Sequence, residues 1–163
     1  MKRSTTLAIL ACILGAGSLQ AQLSAGVGGA YGTQLKRSGV QLRLMYDFNE
    51  RFQLAPDVVV FFNDDKNTRY NEYNVNLHYN FLIQERLTLH ALAGLNSFTK
   101  KVTIPATPPL TEDIKLKDQD YGLNVGAGGL YRISDGISAF GEGKYSLAGF
   151  EQFLISAGIM FHF

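Results

Sequence analysis

The feature that most narrows the fold is a two-residue rhythm of apolar side chains. Between Tyr73 and Phe81, the residues Tyr73, Val75, Leu77, Tyr79 and Phe81 share one parity, and Asn74, Asn76, His78 and Asn80 share the other. Between Val40 and Phe48, the residues Val40, Leu42, Leu44, Tyr46 and Phe48 alternate with Gln41, Arg43 and Asp47, and Met45 is the exception. Successive side chains of an extended chain point to opposite sides, so this alternation builds strands with one apolar and one polar face. A helix needs apolar residues three and four apart, a spacing these segments lack. Eight segments carry the strand pattern: 23–32, 38–48, 52–62, 71–81, 87–97, 120–131, 137–147 and 152–163.

The connections alternate in length. Residues 49–51, 82–86 and 132–136 are short, whereas 33–37, 63–70 and 98–119 are longer. Residues 148–151 are short where a longer connection is expected. Short turns on one side and long loops on the other describe an antiparallel up-and-down barrel of the membrane-spanning kind. The segment 98–119 reads as a surface loop. It holds Pro105, Pro108 and Pro109 among Lys100, Lys101, Glu112, Asp113, Lys115 and Lys117, and proline supplies no donor to a strand ladder. No repeat of 20–50 residues marks a solenoid.

The first residues are a separate object. Lys2 and Arg3 precede a short apolar run, Leu7–Leu14, followed by Gly15, Ala16, Gly17, Ser18 and, at the expected cut, Ala21. That is the layout of a cleaved secretory signal peptide over 1–21, leaving 22–163 as one domain. Leu19 departs from the pattern, standing where a small residue is preferred. The run is too short for a spanning helix, which takes about 20 residues. Ile9-Leu10-Ala11-Cys12 has the form of a lipobox, but the apolar run before it is very short. The chain's single cysteine lies in this segment, so the mature chain offers no disulfide, thiol nucleophile or thiolate ligand. Without Lys2 and Arg3, 13 of the 15 basic residues remain against 14 acidic ones. No excess of positive charge marks a nucleic-acid binder.

Alternation does not say whether the apolar face looks inward, as in a soluble lipocalin-like carrier, or outward to lipid. Three features favour lipid. Among the mature basic residues, only Arg43 and Lys144 fall within the expected strand bodies, whereas a wetted strand surface carries many charges. Aromatics collect at both strand ends: Phe48, Phe52, Phe81, Tyr131, Phe161 and Phe163 on the turn side, and Tyr31, Phe62, Tyr73, Tyr121, Tyr145 and Phe153 on the loop side. Two such girdles match the two interfaces of a bilayer. Third, Phe153, Ile155, Ala157, Ile159, Phe161 and Phe163 alternate along the last strand, which ends on an aromatic residue.

With the leader segment and the strand count, this pattern resembles the small eight-stranded outer-membrane barrels of Gram-negative bacteria, the OmpA transmembrane-domain and OmpX type. The resemblance implies an outer-membrane location in contact with its lipids. It also implies recognition of the final aromatic residues, Phe161 and Phe163, by the barrel-assembly machinery. The likeness is one of pattern, and no motif marks a subfamily or an activity.

Other motifs are weaker. Gly26-Val27-Gly28-Gly29 and Gly126-Ala127-Gly128-Gly129 lack the following helix that a phosphate loop requires; room for bulky neighbours is the better reading. His78, His90 and His162 fall on the inward parity, and a turn centred on Gln84 would set His78 opposite His90. No third ligand is evident beside that pair, so no metal or cofactor is expected. Some small outer-membrane barrels are lipid A deacylases, but His78 is followed by Tyr79-Asn80, without the serine of that family. Ser146, Ser156 and Glu142 show no partner histidine. A turn centred on Glu50 sets Arg43 opposite Asp57 on the inner face, where Glu142 and Lys144 could join them as an interior charge network.

The function expected is therefore non-enzymatic. The chain reads as a monomeric structural or surface-interaction barrel, plugged by polar side chains, that meets an outside partner through 98–119. The alternatives are a narrow pore for ions or very small solutes, a lipid A-modifying enzyme and a soluble carrier. Phe163→Ala should lower the yield of protein in the outer membrane and raise the unfolded periplasmic fraction, measured by fractionation at native expression. An unchanged yield would remove the role given to Phe163.

Overall fold

The computed structural model describes residues 23–63, 67–106 and 114–163. The expected signal segment with Cys12 lies outside them, as do Pro108, Pro109, Glu112 and Asp113. Eight strands follow one another: β1 (Leu23–Gly32), β2 (Arg37–Asp47), β3 (Phe52–Phe61), β4 (Thr68–Ile83), β5 (Leu87–Ile104), β6 (Ile114–Ser134), β7 (Ile137–Leu147) and β8 (Gln152–His162). Each pairs antiparallel with its neighbour in sequence, and β8 returns to β1, closing the barrel. The seam runs from Ser24↔His162 to Gly32↔Leu154, and the Phe163 amide donates to the Leu23 carbonyl at 3.1 Å.

The apolar face points outward. All twelve girdle aromatics are exposed, from Tyr145 at 38% to Phe163 at 79%, and Leu42, Val75, Leu95, Leu123 and Ile155 are exposed between the two rings. Asn74, Asn76, His78 and Asn80 are buried in the lumen. A soluble carrier needs the reverse arrangement. Each strand has at least the 10 residues of β1 or β3, enough for a tilted crossing of about 9–11 residues.

The segment 98–119 differs from its reading as a loop. β5 continues to Ile104 and β6 begins at Ile114, paired without interruption from Leu87↔Tyr131 to Ile104↔Ile114. The pair is a ribbon standing beyond the barrel. Its sequence hides this because a ribbon in water has no buried face to impose alternation. Pro105 lies just past the end of β5, where no ladder donor is required.

Two local features show how the closed sheet is shaped. The β2–β3 ladder runs from Gly39↔Phe61 to Arg43↔Asp57 and resumes at Tyr46↔Leu54. The gap is where Pro56, with no N–H to give, stands against Leu44. The short connection after β7 turns on Ala148 and Gly149, both left-handed, with φ of 64° and 63°. Inside, the Phe140 ring occupies space left by missing side chains. A Cβ at Gly28 would lie 2.9 Å from the ring and one at Gly158 2.8 Å from it. Gly158→Ala should therefore cost about 1–3 kcal/mol through overpacking. The Cβ at Gly158 would also meet the Val27 carbonyl oxygen and lie 2.5 Å from Gly28 Cα, so moving the ring alone does not relieve it. Urea unfolding of the refolded barrel in lipid checks the loss, and an unchanged midpoint would show that the β1 backbone yields at no cost.

Candidate functional site

The lumen holds the polar chemistry, in layers that the strand directions set. On β3, ascending from the short-turn side, Ala55, Asp57, Val59 and Phe61 are all buried. Ala55 belongs to a lower apolar layer with Met45, Leu130, Phe140 and Met160. Val59 and Phe61 belong to an upper one with Ala30, Phe98 and Leu154, against which Leu35, Tyr70 and Phe150 pack. Asp57 lies between them, in a charged layer.

Arg43 and Asp57 are directly opposed on β2 and β3, but their closest charged atoms are 3.9 Å apart. The short contacts instead cross the lumen to β7. Arg43 Nη2 donates to Glu142 Oε1 at 2.6 Å, and Lys144 Nζ lies 3.1 Å from Asp57 Oδ2. The long Arg43 and Lys144 side chains reach across the lumen instead of folding back on an adjacent strand. The guanidinium also lies over the Phe140 ring at 4.8 Å from its centroid. Asn74 and Asn76 donate to the two Asp57 oxygens at 2.9 and 3.2 Å. Asn96 and Asn124 both donate to Asn74 Oδ1.

Sequence reasoning missed several members of this layer. Glu72 is fully buried, accepts from Gln152 Nε2 at 2.6 Å, and lies 3.9 Å from Lys144 Nζ. Its parity on β4 matches that of Asn74 and Asn76, but its closeness to the expected loop hid it. The histidine pairing also needs correction. Asn80, not His78, stands opposite His90, and His78 stands opposite Leu92. The reason is that β4 runs on to Ile83 and the turn, closed by Ile83↔Thr88, centres beyond Gln84; the shift between Asn80 and Leu82 takes back only one position. The two rings still stack, with centroids 4.2 Å apart and planes within 9°. A third group beside the pair, not evident in the sequence, is Glu142, whose Oε2 lies 3.5 Å from His90 Nε2 and 3.6 Å from His78 Nε2.

His162 sits apart, near the short-turn end. Ser24 Oγ and Ser138 Oγ each lie 2.8 Å from one of its ring nitrogens, tying β8 to both neighbours. Among the described residues no carboxylate is hydrogen-bonded to this histidine, so the arrangement lacks the acid of a serine–histidine–acid triad. Ser146 donates to Asn124, while Ser156 is buried beside Glu142 in the β7–β8 register.

A closed eight-stranded barrel that is apolar outside, polar within and ringed by aromatics at both ends is a transmembrane barrel. The chain belongs to the outer membrane protein beta-barrel domain family, which matches residues 4–163, and its place is the bacterial outer membrane. Among solved structures it is similar to the N-terminal barrel domain of Pseudomonas aeruginosa OprF. The TM-score is 0.68 at 16% identity, covering 88% of this chain and 100% of that one. It is also similar to Yersinia pestis Ail, with a TM-score of 0.62 at 18% identity over 89% and 100% of the chains. Neisserial surface protein A gives 0.66 at 15% identity over 90% and 99%. No curated protein matches the sequence.

The cross-lumen pair is open to a direct test. Arg43→Met leaves Glu142 buried with its main cationic partner gone, which should cost about 3–5 kcal/mol. Adding Glu142→Leu should recover much of that loss. A double-mutant cycle on unfolding in lipid measures the coupling, and additive losses would mean that the two charges do not depend on each other.

Proposed function

We propose that this chain is a non-enzymatic barrel with a closed lumen, anchored as a monomer among outer-membrane lipids, that works through its extracellular end. The supporting observation is the layering of the lumen. Met45, Phe140 and Met160 below, and Phe61, Phe98 and Leu154 above, enclose the charged layer in apolar side chains. A narrow pore would need both layers to part and the ion pairs between them to break. On this reading, export follows cleavage after Ala21, and Phe161 and Phe163 present the last strand to the assembly machinery.

What faces outward beyond the membrane is the β5–β6 ribbon and the adjoining start of β4. Arg69, Lys101 and Lys117 are directly opposed across the three strands and exposed, and Lys115 follows Lys117 two residues away on the same parity. Like charges set side by side on one face repel, and an anion lying across them relieves that repulsion. Asp118 and Asp120 have the other parity. With Lys100, Tyr70, Phe98 and Phe150 they line a cavity of about 440 Å³ at the mouth, so they stand away from the basic row. The partner this surface suits is an anionic saccharide. One structure of the fold relative Ail contains the heparin analogue sucrose octasulfate, which makes a sulfated sugar the natural first probe.

Two measurements test the proposal. In planar bilayers the refolded protein should show no stable conductance, and discrete steady channels would favour the pore. Sucrose octasulfate should bind with an affinity that falls as salt rises, and Arg69→Ser, Lys101→Ser and Lys117→Ser together should weaken it about tenfold or more. Equal binding by the triple variant would remove the ribbon as the contact surface.

A further inference from the structure

We propose that His78, His90 and Glu142 form a binding site for one transition-metal dication of the zinc class inside the barrel. Three strands supply the donors: His78 from β4, His90 from β5 and Glu142 from β7. Their nitrogen and oxygen donors all lie within 4.8 Å of one another, and all three residues are buried. Two of the three separations are 3.5 and 3.6 Å. A tetrahedral zinc ion with ligands at about 2.0–2.2 Å spaces its donors by roughly 3.3–3.6 Å. The two rings are stacked with planes within 9°, so an ion fits between them and Glu142 once the rings tilt until their in-plane lone pairs converge on it.

A second observation points to the same place independently. Neither ring nitrogen of the fully buried His78 has a hydrogen-bond partner, and His90 Nδ1 has none either. Buried polar atoms left unpaired are costly, and a metal would use the lone pair of a neutral imidazole on each ring. Glu142 is suited to be the third ligand. Arg43 holds its Oε1 at 2.6 Å, which leaves Oε2 free to face the two rings. Hydrogen bonding of a ligand's second oxygen is the usual outer support of a metal-bound carboxylate.

The charge of the layer agrees with this chemistry. Arg43 and Lys144 face Asp57, Glu72 and Glu142, so with neutral histidines one negative charge is in excess. A bound cation is attracted to a layer in which acidic groups outnumber basic ones. Two histidines and one carboxylate, with a position left open, are a ligand set that zinc takes readily. With the lumen closed as proposed, the ion is best supplied while the barrel folds.

The test uses untagged mature chain, refolded in lipid with excess Zn²⁺, then stripped of loose metal with a chelator. Folding is read by heat-modifiable gel migration, metal by elemental analysis, and ligands by X-ray absorption at the zinc edge. Wild type and His162→Gln should each retain close to one zinc per folded barrel, with two imidazoles in the first coordination sphere. Folded His78→Asn and His90→Asn should lose the ion or bind it at least about 100-fold more weakly. Folded wild type without stoichiometric zinc would overturn the proposal, whether or not the variants fold. So would folded His78→Asn and His90→Asn that retain zinc as wild type does, or a coordination sphere lacking two imidazoles.

Discussion

Everything in this barrel follows from the absence of water in the bilayer core. An unpaired N–H or C=O costs several kcal/mol there, so a sheet that crosses lipid must close on itself. Closure joins β8 to β1 and fixes which parity of every strand faces lipid. The outward parity must be apolar throughout, and the inward one must fit the narrow lumen of an eight-stranded barrel. The one visible break in the β2–β3 ladder, around Pro56, spans two residue positions and is closed again by Tyr46↔Leu54. A longer break would leave too many backbone groups without partners.

This constraint is why so much of the fold is legible in the sequence. Where a strand lies in lipid, one face is apolar and the other is not, and the alternation of Tyr73–Phe81 reports it directly. Where the chain leaves the bilayer, both faces meet water and the rhythm stops. The ribbon of β5 and β6 therefore read as a loop, although Lys101↔Lys117 and Thr103↔Lys115 are as firmly paired as the residues below them. The prolines added to that impression, but Pro105 sits just beyond the end of β5. The opposition of Arg43 to Asp57 could be counted from the Asn49–Arg51 turn, because that turn has no irregularity. The opposition of His78 to His90 could not, because β4 extends to Ile83 and the turn centres beyond Gln84, which the apolar Leu82 and Ile83 do not mark in the sequence.

The site itself was legible as a list of residues but not as a set of contacts. Parity alone shows that Arg43, Asp57, Glu142 and Lys144 face inward. Parity does not show that the lumen is narrow enough for β7 to reach β2 and β3, and that width decides the partners. Arg43 bonds Glu142 rather than its direct neighbour, and Lys144 takes Asp57. Glu72 and the two histidines enter for the same reason: an inward side chain in such a barrel meets nearly everything at its own height.

Height is also what gives the charged layer its meaning. Buried ion pairs contribute little net stability over well-packed apolar groups, since desolvation offsets most of their attraction. An apolar layer at this level, continuous with those above and below, would fill the lumen equally well. It would specify less about which strand stands at which height, because apolar side chains accept many different neighbours of similar size. Buried charges do not. Moving β7 by two residues against β2 keeps every side chain on its proper face yet separates Glu142 from Arg43 and Lys144 from Asp57, stranding four buried charges. The layer therefore acts on register more than on total stability. It ties β2, β3, β4 and β7 at one height across the lumen, where neighbour-to-neighbour ladders alone fix each strand only relative to the next.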